Sequence, residues 1–148
     1  MECDWPNCPR YFRNNYENLK TKFTGAENIE NNWSQSMQDI FVMSMLDGKR
    51  NGVYVEIGAD QPRVISNTYL LEKDFDWSGI SFELDADKVA FFNTIRKNKC
   101  LCEDATLYNY KSLFEKLNYP KQIDYLQLDI DPAEGTLRAL KALPLDDY

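Results

Sequence analysis

The chain contains no histidine. A histidine base, a histidine-ligated metal and a Ser-His-Asp relay are therefore excluded within it, and proton transfer near neutral pH falls to other groups. Basic blocks are missing as well. Lys and Arg number 17 against 24 Asp and Glu, a formal net charge of −7. Phosphate recognition rests on Lys and Arg, so no nucleic-acid partner is expected. No apolar run reaches the roughly 18 residues of a membrane-spanning helix, so no span is expected either. The opening Met1-Glu2-Cys3-Asp4-Trp5-Pro6 lacks the basic start and apolar core of a signal peptide, which makes a cytoplasmic setting the expectation.

Cysteine is scarce. Cys3 and Cys8 are spaced C-x4-C, Cys100 and Cys102 C-x-C. Together they are a conceivable four-thiolate zinc set. The pair at 100 and 102, however, alternates along an expected strand and shares one face, where small thiols pack as hydrophobes. No metal site and no disulfide framework is expected. What the chain does have is 43% hydrophobic and 14% aromatic residues over 148 positions, enough for one core without staples.

Two stretches carry most of the information. Val53-Tyr54-Val55-Glu56-Ile57-Gly58-Ala59-Asp60 and Ile80-Ser81-Phe82-Glu83-Leu84 read as short buried strands, each ending in an acid. A strand, a glycine turn, a helix and a second strand with a terminal Glu form the nucleotide-binding half of an α/β sheet. A dinucleotide site wants Gly-x-Gly-x-x-Gly, so that a pyrophosphate can lie against bare backbone and a helix N-terminus. Here Gly58 is followed by Ala59, Asp60, Gln61, Pro62 and Arg63. One glycine between Glu56 and Asp60 suits a ligand without phosphate. It disfavours a nicotinamide-dependent dehydrogenase and fits S-adenosylmethionine, which joins a ribose and an adenine to a cationic sulfonium.

Residues 1–33 are polar and Asn-rich with no sustained period, and read as an N-terminal extension with a short helix over Asn14–Phe23. The domain proper is expected over 34–148. Met37, Ile40, Phe41 and Met45 recur at helical spacing, Ser36 with Asp39 resembles a capping box, and Gly48 stops that helix. Strands are expected at 53–57, 80–84, around 100–103 and at 123–129. Between them lie helices over 64–73, from Asp85 through Ile95, and over 110–117. A last helix over about 133–142 carries Leu137 and Leu140. The alternation predicts a three-layer α/β/α domain on a parallel sheet.

In such a sheet, ligands bind beyond the strands' carboxyl ends. Glu56 with Gly58, then Glu83, Asp104 and Asp129, fall at successive strand ends. Glu83 with Leu84 is placed for ribose hydroxyls, and Asp104 with the Ala105 amide for the adenine edge. Glu56 and Asp60 are expected to face the cationic methionine part. Asp129 lies where methyl group and acceptor should meet. Asp85 reads only as a helix cap.

The runs Ser34-Gln35, Gln38-Asp39 and Lys49 to Ala59 resemble the opening of FkbM-type methyltransferases. So do Ser66-Asn67-Thr68-Tyr69-Leu70-Leu71-Glu72-Lys73, Trp77 to Glu83, and Ile123 to Asp131. The resemblance implies a Rossmann-like class I fold binding S-adenosylmethionine and methylating a hydroxyl of a sugar, glycan or related small-molecule acceptor. It assigns Glu56, Gly58 and Ala59 to the cofactor loop, Asn67 to a Ser-Asn-Thr motif, Glu83 to the ribose and Asp104 to the adenine. The helix bearing Gln38 and Asp39 would lie across the cofactor.

The chain departs from that pattern at Gln61-Pro62-Arg63, where a second glycine is common, and at Asp131-Pro132-Ala133-Glu134-Gly135. It also stops at Leu145-Asp146-Asp147-Tyr148, where a fifth strand would begin. Only the cofactor-binding half, about four parallel strands, is expected, with strand four an open edge inviting self-association or a partner. Asp129 and Asp131 are the candidate bases, or with Glu134 a divalent-metal set. The alternative to an enzyme is a non-catalytic cofactor-binding or assembly module.

Overall fold

The computed structural model describes residues 22–148. Cys3, Cys8 and nearly all of the helix expected over Asn14–Phe23 lie outside the described residues. A 3-10 turn at Ala26–Asn28 precedes α1 (Gln38–Met45), β1 (Val53–Ile57), α2 (Tyr69–Phe75), β2 (Ser78–Glu83) and α3 (Ala86–Ile95). The chain continues through β3 (Lys99–Cys102), α4 (Tyr110–Lys116), β4 (Tyr125–Leu128) and α5 (Ala133–Ala142). The four strands form one all-parallel sheet in the order β3-β2-β1-β4. This is an α/β fold compatible with a Rossmann-like arrangement.

All five β1 residues are buried, as a central strand covered on both faces requires. Its alternation sorts the two layers. Tyr54 packs with Ile40, Met43, Leu70, Leu71, Phe75 and Trp77, and with Phe23, Ala26 and Ile29 from the preceding segment. Val55 and Ile57 face the other way, onto Tyr110, Phe114, Ala139 and Leu143. Helices α1 and α2 therefore cover one face, and α4 and α5 the other. Helix α3 joins the first face through Val89 and Phe92 against Cys100.

Several expectations need correction. Helix α2 begins at Tyr69, five positions after Val64, because Ser66 Oγ takes the Thr68 and Tyr69 N–H groups in a local turn. Ile65, at φ 64°, forms an isolated bridge with Ser34. The capping box is Ser34 with Asp39, not Ser36 with Asp39. Ser34 Oγ accepts the Asp39 N–H and donates back to its carboxylate, which also takes the Trp33, Ser34 and Ile40 N–H groups. On α5 the buried face is Gly135, Ala139 and Leu143, whereas Leu137 and Leu140 are exposed. Small residues bring that helix close, and a Cβ on Gly135 would stand 2.7 Å from Ile130. Cys100 is buried but Cys102 is exposed, so the two do not pack alike.

Helix α1 leaves Phe41 and Met45 exposed beside a groove along β4 that also holds Gln38, Val42, Leu46, Asp124 and Tyr125. Among the described residues β4 has β1 as its only strand neighbour. No helix among them is long and apolar enough to cross a membrane.

Candidate functional site

Strand order reverses direction at β1: β2 and β3 lie to one side, β4 to the other. Such a switch point leaves a crevice at the strands' carboxyl ends. A cavity of about 150 Å³ occupies that place, lined by the exits of all four strands. Ile57 and Gly58 follow β1, Phe82, Glu83 and Leu84 end β2, and Glu103 to Thr106 follow β3; Asp129, Ile130 and Asp131 follow β4. Five of these residues are carboxylic acids and none is basic. The volume is below the roughly 300–1,000 Å³ of small-molecule sites, so it has room for only part of such a molecule.

Gly58 adopts φ +82°, and a Cβ there would lie 1.9 Å from the Asp129 carbonyl oxygen. The glycine is thus required where the turn after β1 crosses the end of β4. The Gly58 and Ala59 N–H groups both donate to Phe82 O, tying that turn to β2 as well. Glu83 is organised by backbone. Its Oε1 accepts the Leu84 and Asp85 N–H groups at 2.8 and 3.1 Å, and its Oε2 the Asp60 N–H at 3.0 Å. Asp85 caps α3 by accepting from the Asp87 and Lys88 N–H groups.

At the β3 exit, Asp104 accepts from the Thr106 hydroxyl and N–H, and these bonds hold its carboxyl below the ordinary range. The Ala105 carbonyl takes the Tyr110 hydroxyl at 2.6 Å, and edge-on contacts of Phe82 with Tyr108 and Tyr110 stiffen the wall behind it. Asp129 and Asp131 are exposed at the mouth.

The structure therefore brings Gly58, Glu83, Leu84, Asp104, Ala105, Asp129 and Asp131 to one cavity. The other five sequence candidates stand elsewhere. Glu56 is fully enclosed on the opposite side of the sheet plane, accepting from Thr68 Oγ1 at 2.9 Å and Ser81 Oγ at 2.6 Å. It does not reach the strand ends because its alternation turns it under α2 and α3; burial pushes its carboxyl up, against the pull of Arg96. Ala59 is buried against Val89, Phe92 and Cys100. Asp60 turns outward to an ion pair with Lys88 and presents only its N–H to Glu83. Asn67 sits in the turn before α2, its Oδ1 buried without a hydrogen-bond partner. Gln38 lines the groove beside β4 rather than the cavity, so α1 does not place it across the site.

Sequence reasoning missed Arg96, the hub that fixes the loop after β1. Its side chain is wholly buried. It donates to Glu72 Oε2 at 2.9 Å, Pro62 O at 3.0 Å, Tyr54 Oη at 3.0 Å and Thr68 Oγ1 at 3.1 Å. Burial opposes its charge, but Tyr54, Glu56 and Glu72 outweigh that and raise it. Nothing in the run Arg96-Lys97-Asn98 distinguishes a buried arginine from a solvated one. Sequence reasoning also missed Thr106, for which the sequence did carry a signal, since Asp-x-Thr favours the turn it makes. Among the described residues no three or more His, Cys, Asp or Glu side chains converge on a metal position, so Asp129, Asp131 and Glu134 form no such set.

Comparison with known proteins gives no matching family model and no matching curated protein.

Proposed function

We propose that this chain is an S-adenosylmethionine-dependent methyltransferase domain acting on a hydroxyl of a sugar or related small molecule. The observation that carries the reading is the cavity at the switch point, lined among the described residues by five carboxylic acids and no cation. A pyrophosphate would meet only like charge there, whereas a sulfonium-bearing nucleoside meets complementary charge. Glu83, at the end of β2, suits ribose hydroxyls. Asp104 and the backbone at Ala105 suit the polar edge of an adenine, with Phe82 and Leu84 as apolar walls.

The cofactor supplies a methyl carbon already activated by its sulfonium. The chain's task is to hold donor and acceptor in line and to remove the acceptor's proton. Asp129 and Asp131 stand at the β4 end of the cavity, where either carboxylate would take the acceptor's hydroxyl proton while the methyl carbon exchanged its bond to sulfur for one to oxygen, the sulfonium leaving as a neutral thioether. A second reading, a cofactor-binding module without turnover, is favoured by one observation: among the described residues neither carboxylate has a hydrogen-bond partner that orients it, as a base of fixed geometry would, and both are exposed.

The test is calorimetric titration with S-adenosylhomocysteine, beside NAD. Saturable binding is expected for the homocysteine nucleoside alone, weakened about tenfold or more in Glu83→Ala, which loses a charged hydrogen-bond acceptor. Equal binding of both ligands, or binding indifferent to Glu83, would overturn the reading.

A further inference from the structure

Glu83 has more claimants than a carboxylate can serve. A carboxylate offers about four acceptor positions, two on each oxygen. Three are occupied in this structure: the Leu84 and Asp85 N–H groups fill Oε1, and the Asp60 N–H takes one side of Oε2. One position remains. A ribose brings two neighbouring hydroxyls, so binding both through Glu83 requires one N–H to withdraw. The Leu84 and Asp85 groups are adjacent in sequence to Glu83, at the strand end leading into α3, and cannot leave without unwinding that junction. Asp60 belongs to a different segment, the turn after Gly58. It holds a left-handed φ of 48° without being glycine, a conformation that costs energy wherever it is not held in place. The Gly58 and Ala59 N–H bonds to Phe82 O anchor the turn as far as residue 59. Beyond its own N–H bond to Glu83, what holds Asp60 is the ion pair between its carboxylate and the Lys88 ammonium on the first turns of α3. Both side chains are about two-fifths exposed, the lysine 40% and the aspartate 39%, so the pair is weak enough to yield.

We propose that Asp60 is a latch: its N–H, held over Glu83 by Lys88, is displaced only by a ligand presenting a vicinal diol, while the Gly58 and Ala59 bonds to Phe82 O keep the rest of the turn in place. The inference rests on the nucleoside reading above and adds to it a specificity device. A ligand with one hydroxyl uses the free position on Oε2 and leaves the latch closed. A ligand with two must open it and loses part of its binding energy in doing so. Lys88 thus acts through Asp60, as a positioning residue that tunes which sugars engage Glu83 in full. Glu83 and Asp85 lie near enough to Lys88 to add to the hold on its charge. Among the described residues no cation lines the cavity to take its place.

The test compares the wild type with Lys88→Met in NMR titrations with adenosine and 2′-deoxyadenosine, both uncharged, so that loss of the lysine's charge does not act on the ligand directly. Removing a half-exposed ion pair is expected to tighten adenosine binding about twofold to fivefold. The 2′-deoxy ligand should bind wild type and variant alike, and Lys88→Arg should restore wild-type adenosine affinity. In the absence of ligand, the Asp60 amide should exchange its hydrogen faster in Lys88→Met, with the melting curve unchanged. Adenosine binding by the wild type that is unaltered or weakened in Lys88→Met overturns the latch alone. A change of equal size for both ligands does the same. Failure of the wild type to bind either nucleoside overturns the latch together with the function proposed above.

Discussion

Two independent constraints meet at Gly58. Its φ of +82° lies where side-chain-bearing residues are strained, and the space a Cβ would occupy is filled by the Asp129 carbonyl, which is backbone and cannot swing aside. Gly58→Ala is expected to lose about 2 kcal/mol or more in urea unfolding, since both strain and displacement of β4 act against it. A loss below about half a kcal/mol would mean the turn relaxes freely. The same substitution should also weaken nucleoside binding, because Asp129 and Gly58 share the cavity wall.

At the scale of elements, the face of the sheet beneath α2 and α3 carries a polar row. The register aligns Gln127, Glu56, Ser81 and Cys100 across all four strands. Thr68 and Ser81 satisfy Glu56, while Arg96 reaches across to Glu72. Arg96→Met leaves Glu72 buried without its counter-charge, and a loss of about 3–5 kcal/mol is expected in denaturant unfolding. The double variant with Glu72→Met should recover much of it, because two buried charges are then removed together. Glu56 gives a pH signature. Burial raises its carboxyl above the ordinary 4.5, so the folded chain holds that proton more tightly than the unfolded one. Its contribution to stability is therefore complete below the ordinary value and is lost as pH rises through the raised one. Glu56→Gln, permanently neutral, should gain on the wild type in thermal melts as pH rises from about 4 to about 8. A gap that narrows with pH would show Glu56 to be stabilised as the carboxylate.

These elements also show what the sequence disclosed. Val53–Ile57 was legible to the residue because a run of five apolar or enclosed positions before a glycine has few other solutions. The place of Glu83, Asp104 and Asp129 at the cavity was legible because strand ends are fixed by the strands themselves. Glu56 was misjudged by one step of alternation: it precedes the strand's last residue and so points into a layer, not off the end. On α5, the apolar residues Leu137 and Leu140 suggested a face that Gly135 and Ala139 in fact supply, since closeness of approach favours small side chains over large ones. The Arg96 hub joins residues 42 and 34 positions away in Tyr54 and Pro62, and no local pattern encodes such a reach.

For the whole molecule, protection should radiate from β1. That strand is paired on both sides and packed on both faces, while β3 and β4 each have one strand neighbour among the described residues. Hydrogen exchange is expected to be slowest at Tyr54–Ile57 and faster in β3 and β4, following the order of local opening. S-adenosylhomocysteine should slow exchange at the strand exits, around 58–60, 83–85 and 104–106, and leave the groove beside α1 unchanged. Protection appearing at that groove instead would place the ligand on the wrong side of the sheet.

The contact between Gly58 and the Asp129 carbonyl has a further meaning for a chain made from one end to the other. Strands β1, β2 and β3 can pair as soon as they leave the ribosome, and the turn after Gly58 can already fold against Phe82. The fourth wall of the cavity arrives only when residues 129–131 emerge, 71 positions after the glycine that receives them. Until then the newborn chain has the cavity's other walls but not the one that β4 supplies. On the nucleoside reading proposed above, ligand capture is timed by synthesis, since the cavity closes only after β4 has inserted beside β1.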